Sequence, residues 1–328
     1  MTAVGAGCAV ITGIGLAVSG LRDERDLLPP GLNGGAAGEP GFDLDAAPPG
    51  RGMRHKDRAS RLALRAASLA LRDQSQALTD PDSVAVIVSS NFGNLDTACE
   101  FVDTIAAETV SGLSPMRVPH MSSNVTACWV ALEHGLRGPN ITLSSGTASG
   151  LDAMFWAGNL LAARRASMVL VVGVEPDTKP VQRLHRSQGA ESWLDGAVCL
   201  VVETAQHAAA RGARPRALIS GYGRAVDRET AEHQASSAVL SQPMGLYVGA
   251  AGYYAPALDL TARLGRCSGA LGVLQCAAAA AWLDQTDYGS VLAVAGDEEG
   301  SPGPSREGDP SGVAALVLNR PTTRDKVG

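Results

Sequence analysis

Between residues 139 and 175 the chain reads PNITLSSGTASGLDAMFWAGNLLAARRASMVLVVGVE. A short β-rich run stops at Ser-Ser-Gly, a helix of small residues follows, and a second apolar strand closes the unit. A strand that turns sharply into a buried helix sets one side chain at the helix N-terminus, where backbone N–H groups favour developing negative charge. Three residues occupy that turn: Ser145, Gly146 and Thr147. A hydroxyl there attacks only with a general base beside it, because it has no accessible anion near neutral pH, whereas a thiol does. His120, His134 and His185 are the candidate bases for an acyltransferase or thioester hydrolase built on Thr147, and spacing does not choose among them. The structural alternative for Thr147 is a helix N-terminal hydroxyl that satisfies a backbone donor.

The elements that must position this turn read as alternating strand and helix. Residues 8–18 form a continuous β-branched run, as in a strand covered on both faces. A Pro/Gly excursion over 29–52 reads as a surface loop. A helix over 57–74 carries Leu62, Leu64, Ala66, Leu69 and Leu71 on one side. Strands are expected at 83–90, 138–143, 196–203 and 216–226, and helices at 95–113, 125–137 and 205–211. The apolar run 269–283 is too short to cross a bilayer and reads as a buried helix. Two blocks look alike: residues 146–175 run from a Ser-Gly helix to a strand ending Gly-Val-Glu, and 265–298 from a Ser-Gly helix to one ending Gly-Asp-Glu. A unit seen twice points to a duplicated α/β architecture with crossover connections.

The totals exclude several classes. The 328 residues suffice for one large core, and a net charge of −6 argues against nucleic-acid or anionic-membrane partners. Six cysteines are scattered through apolar segments without CxxC or metal spacing, which implies reduced thiols in a cytoplasmic protein and no metal site. The N-terminus shows neither a basic region before its apolar run nor a cleavage site. The segment 13-GIGLAVSG-20 matches neither a dinucleotide fingerprint nor a P-loop, so no cofactor is expected. The acidic run 297–300 reads as a solvated turn, and Arg164 and Arg165 as helix-end cations that could receive an acidic carrier protein.

The stretches 11-ITGIG-15, 136-LRGPNITLSSGTASGLDA-153, 165-RASMVLVVGVE-175 and 195-DGAVCLVVETAQHAAARGARPRALISGYG-223 resemble the N-terminal half of a β-ketoacyl synthase. The resemblance implies an α/β thiolase-like fold, two similar halves in a five-layer αβαβα arrangement, here with an abbreviated second half. Residues 1–328 are then one domain, divided into 1–203 and 204–328. It also implies a dimer paired through the strand that follows the active-site helix. Laid on the family's Ser-Thr-Ala-Cys-Ala-Ser-Gly motif, the turn places Thr147 where the nucleophilic cysteine should stand. In 265-GRCSGALG-272, Arg266 occupies the position of a family histidine, and no histidine follows residue 233. Arginine stays protonated and cannot act as a base. The family's second histidine motif and its C-terminal Gly-Phe-Gly-Gly loop are also missing. The resemblance therefore implies a non-condensing chain-length-factor subunit of a type II polyketide synthase, with no catalytic residue of its own. Its partners would be a catalytic ketosynthase, in a heterodimer, and an acyl carrier protein. The expected tunnel and interface residues lie in 95–121: Phe101, Ile105, Met116, His120 and Met121.

Overall fold

The computed structural model describes residues 8–30, 32, 56–74, 80–186, 192–237, 244–249, 256–296 and 312–321. Ten strands stand among them in the order β3-β2-β4-β5-β1-β6-β10-β9-β7-β8. The first five are β1 (Ala9–Val18), β2 (Val84–Ser89), β3 (Asn140–Leu143), β4 (Met168–Glu175) and β5 (Gly196–Thr204). The second five are β6 (Ala217–Ala225), β7 (Met244–Val248), β8 (Ala257–Leu258), β9 (Ser290–Ala295) and β10 (Val313–Asn319).

Read inward from either end, the two sets have one topology. In the first, β2 runs parallel to β3 and β4, while β5 is antiparallel to β4 and β1. In the second, β7 runs parallel to β8 and β9, while β10 is antiparallel to β9 and β6. The sets meet only where Val10 and Ile11 of β1 pair with Leu218 and Ala217 of β6. The duplication expected from two similar blocks is thus present as a mirrored strand order.

Side chains alternate along each strand between two cores, the period-2 signature of sheets covered on both faces. Val169 and Val171 of β4 point to a central core with Val198 and Leu200 of β5, while Leu170, Val172, Cys199 and Val201 point outward. The outer face of the first set is covered by α1 (Arg58–Asp73) and α3 (Val125–Glu133). The outer face of the second is covered by α7 (Arg228–Ser237), through Ala231 and Ala235. Between the sets lie α4 (Ser149–Ala162) and α9 (Leu271–Gln285). This is the five-layer arrangement that the resemblance implied. Helix α9 is buried from Leu271 through Leu283, as its nearly continuous apolar run required.

Glycine lets the two central helices touch backbone to backbone. A Cβ on Gly150 would lie 2.7 Å from Gly272 N, and one on Gly272 would lie 2.3 Å from Leu151 N. The remaining helices are α2 (Leu95–Glu108), α5 (Lys179–Arg186), α6 (Ala205–Ala210) and α8 (Thr261–Leu264).

Two expectations change. Strand β4, which follows α4, is hydrogen-bonded on both sides by β2 and β5, so it has no edge to offer a partner. The edge belongs to β3, which precedes α4. The helix expected over 95–113 stops at Glu108, because Thr109 takes φ 62° and ψ −172°, a conformation foreign to a β-branched residue. Two 3₁₀ stretches, 110–112 and 115–121, continue the segment. The Gly-Asp-Glu close of the second repeat and most of the 29–52 loop lie outside the described residues.

The contact between the central helices makes a direct prediction. Gly150→Ala inserts a methyl against backbone that has nowhere to move, and overpacking of this kind costs about 1–3 kcal/mol. The urea midpoint should fall accordingly; an unchanged midpoint would mean that the helices do not meet there.

Candidate functional site

Thr147 sits in a single 3₁₀ turn, Gly146–Ala148, between β3 and α4. Gly146 adopts φ 76°, which lets the chain reverse direction without a Cβ in the way. The equivalent position of the second repeat is Ser268, also left-handed at φ 43°.

Both turns are clamped by one side chain, Asn91, just past the end of β2. Its Nδ2 donates to Gly146 O at 3.0 Å and to Ser268 Oγ at 2.8 Å, and its Oδ1 accepts from Gly146 N at 3.2 Å. Beneath it, Glu175 closes β4 with 1% exposure. Its carboxylate accepts from the N–H groups of Asn91 (2.7 Å), Phe92 (3.1 Å) and Gly269 (2.9 Å), and from Ser90 Oγ at 3.3 Å. Burial pushes the Glu175 carboxyl up to about 7, against the pull of those donors. Ser89 Oγ donates to Gly269 O at 2.6 Å and shares a hydrogen bond with Ser149 Oγ at 2.8 Å. The two halves are therefore stitched at the turn by short polar links.

A second hub holds the outer side of the turn. Asp152, in the first turn of α4, accepts from Ser145 Oγ at 2.7 Å and from Tyr222 OH at 2.6 Å, and pairs with Arg224 Nε at 3.2 Å. Burial and this carboxylate push the Tyr222 phenol up. Ser145 thus anchors the turn, through Asp152, to β6.

Thr147 itself is half-buried, and among the described residues no side chain hydrogen-bonds its hydroxyl. Of the three candidate bases, the side chains of His120 and His134 are described, and neither bonds Thr147. His120 is buried; its Nδ1 lies 3.6 Å from Asp57 Oδ2 and its ring 5.7 Å from Trp129, over which Lys56 also sits at 4.4 Å. His134 ends α3, where burial lowers its basicity. His185 belongs to α5, with its side chain outside the described residues. At the position implied for a family histidine, Arg266 lies with its guanidinium 5.8 Å from the Trp193 ring, and Trp193 meets Phe92 edge-on at 6.0 Å.

The five expected interface residues divide. Ile105, Met116 and Met121 are exposed at 44%, 82% and 39%, whereas Phe101 and His120 face the chain's own interior. Sequence reading passed over Asn91, Asp152 and Ser268 altogether. The one signal for Glu175 was the Gly-Val-Glu that ends the first repeat.

A family model, the N-terminal domain of β-ketoacyl synthases, matches residues 33–204, more than half of the chain. The chain belongs to the β-ketoacyl synthase family. It is 28% identical over 166 residues to a 3-oxoacyl-[acyl-carrier-protein] synthase 2 of Vibrio harveyi, which covers 44% of this chain and 40% of that protein. A synthase of the same name from Rhizobium meliloti is 26% identical over 167 residues, with the same coverage. The chain thus spans about 40% of the length of the curated relatives it matches. Among solved structures, the ishigamide ketosynthase/chain length factor superposes with a TM-score of 0.74 at 21% identity, covering 96% of this chain and all of that one. A type II polyketide synthase ketosynthase in complex with its acyl-carrier protein, AntDE:AntF, gives 0.77 at 18% identity over 96% of this chain and 99% of that chain. At such identities these two show the fold, which is that of the thiolase-like ketosynthases. Among the described residues, no helix is long and apolar enough to cross a membrane.

The raised Glu175 carboxyl fixes the sign of a pH effect. Its folded pKa of about 7 exceeds the ordinary 4.5, so its contribution is complete below pH 4.5 and is lost as pH rises through 7. Over that window the difference amounts to about 3 kcal/mol. Chemical denaturation from pH 5 to 8 should show wild type losing stability relative to Glu175→Gln, which has no proton to release; parallel curves would refute the assignment.

Proposed function

We propose that the chain is a non-condensing ketosynthase-like subunit, of the chain-length-factor kind, that pairs with a catalytic ketosynthase and shapes the tunnel for a growing polyketide or fatty acyl chain. One observation carries the reading: the turn, its clamp and its helix are in place, while among the described residues no side chain bonds the Thr147 hydroxyl and the implied imidazole position holds Arg266. Positioning without reactivity suits a subunit that supplies shape. The first 203 residues would then hold the degenerate turn and the remainder the shortened half.

The surface supports a partner. On α4, Phe155 and Trp156 are exposed at 38% and 45%, whereas their counterparts in the second repeat, Ala277 and Ala278, are wholly buried. There, Leu21, Leu27 and Leu28 of the segment after β1 join the core around α9. Val102, Val110, Met116 and Val118 add further exposed apolar surface along 95–121, and β3 has an open edge. Exposed apolar area of this kind marks an interaction site. The partner is read as a ketosynthase with an intact Cys-His-His set, and the acyl chain as arriving on a carrier protein.

Co-expression with such a ketosynthase should yield a stable 1:1 complex by size-exclusion chromatography. Within it, Met116→Trp should shorten the dominant product, whereas Phe101→Ala should chiefly lower the melting temperature, since Phe101 packs inward. Thr147→Cys/Arg266→His should not condense malonyl units alone, because neither change supplies the missing histidine motif. An acyl adduct on Thr147, seen by intact mass after incubation with an acylated carrier, would overturn the reading in favour of a Thr147 acyltransferase.

A further inference from the structure

We propose that the second half carries an internal hydration site, a small cluster of ordered waters seated on Gln275 Oε1 where β7 and β9 end. The proposal does not depend on the function proposed above. Gln275 is the one polar side chain in the buried run of α9 from Leu271 to Leu283, and it is 2% exposed. Its counterpart in the first repeat, at the spacing that relates Gly150 to Gly272, is Ala153, fully buried and apolar. The packing of a central helix therefore does not require an amide here.

What the amide does is visible on one side only. Its Nε2 donates to Val248 O of β7 at 3.2 Å and to Val294 O of β9 at 2.7 Å, bridging two parallel strands at their carboxyl ends. Its Oε1 is buried, and no protein group among the described residues bonds it. Buried acceptors in native proteins are satisfied, by protein or by ordered water. Beside it lies a cavity of about 40 Å³ whose lining includes Gln275, Asp259, Thr261, Arg228, Gly249 and Gly296. At roughly 10–15 Å³ of such volume per water, the space holds about three or four. The wall is polar enough to give each the partners it needs: a carboxylate, a hydroxyl, a guanidinium and strand-end backbone. Strand ends at the point where successive connections diverge are also where open α/β sheets place their ligands.

A crystal structure fine enough to place solvent tests this directly, combined with the same crystals under xenon pressure. Water density within hydrogen-bonding distance of Gln275 Oε1, and no xenon in the cavity, is the expected result. Gln275→Leu should lose the water bonded to Oε1, while Asp259, Thr261 and Arg228 keep the rest of the cavity wet and free of xenon. If the variant does not fold, wild type alone decides. Xenon in the wild-type cavity, or an Arg228 donor turned onto Oε1 in place of water, would overturn the proposal.

Discussion

Everything in this fold is organised by the meeting of two buried helices at Gly150 and Gly272. With no Cβ on either, the backbones approach within distances that any side chain would forbid. That approach sets the thickness of the central layer, and with it the spacing of the two sheets. It also brings the two 3₁₀ turns, at Gly146–Ala148 and Ser268–Ala270, close enough for a single asparagine to bridge them. A wider separation would break the Asn91 clamp and leave Glu175 without its Gly269 donor. Geometry at the turn is thus inherited from packing below it.

Under the proposed function, the candidate site separates two properties that coincide in a condensing enzyme. Rigidity is present: Asn91, Glu175, Asp152 and Ser89 fix the turn from four directions, most of them through donors that a single substitution would orphan. Reactivity is the other: among the described residues no side chain bonds the Thr147 hydroxyl, and the Arg266 guanidinium, set over an indole face, accepts no proton. Retaining the clamp is understandable if the turn is part of the structural joint between halves, which the Glu175 and Ser89 bonds to Gly269 make it.

The sequence made the frame legible and the joint illegible. Continuous β-branched runs located β1, β2, β4 and β5 within a residue or two, because a strand buried on both faces leaves a one-dimensional signature. The apolar run at 269–283 identified α9 for the same reason, and the repeated Ser-Gly blocks revealed the duplication. The strand–helix turn is legible locally as Ser145, Gly146 and Thr147, and it is the family resemblance that singles out Thr147 and Arg266. Asn91 and Asp152 were not found, because their roles depend on partners across the fold: Asn91 reaches Ser268, and Asp152 reaches Tyr222. The end of α2 was missed because Thr109 is an unfavourable residue for the conformation it adopts, so propensity pointed the wrong way. The edge strand was misassigned for want of topology: β3 is short and weakly apolar in sequence, and only the strand order shows it to be terminal.

The two ends of the strand order are unlike. At one, β3 offers four residues of open backbone; at the other, β8 is two residues long, too brief to template pairing. A molecule with one usable rim joins another rim to rim and is then spent. Growth into a fibre would need a second adhesive border, and the described strands supply none, so edge pairing through them stops at a pair.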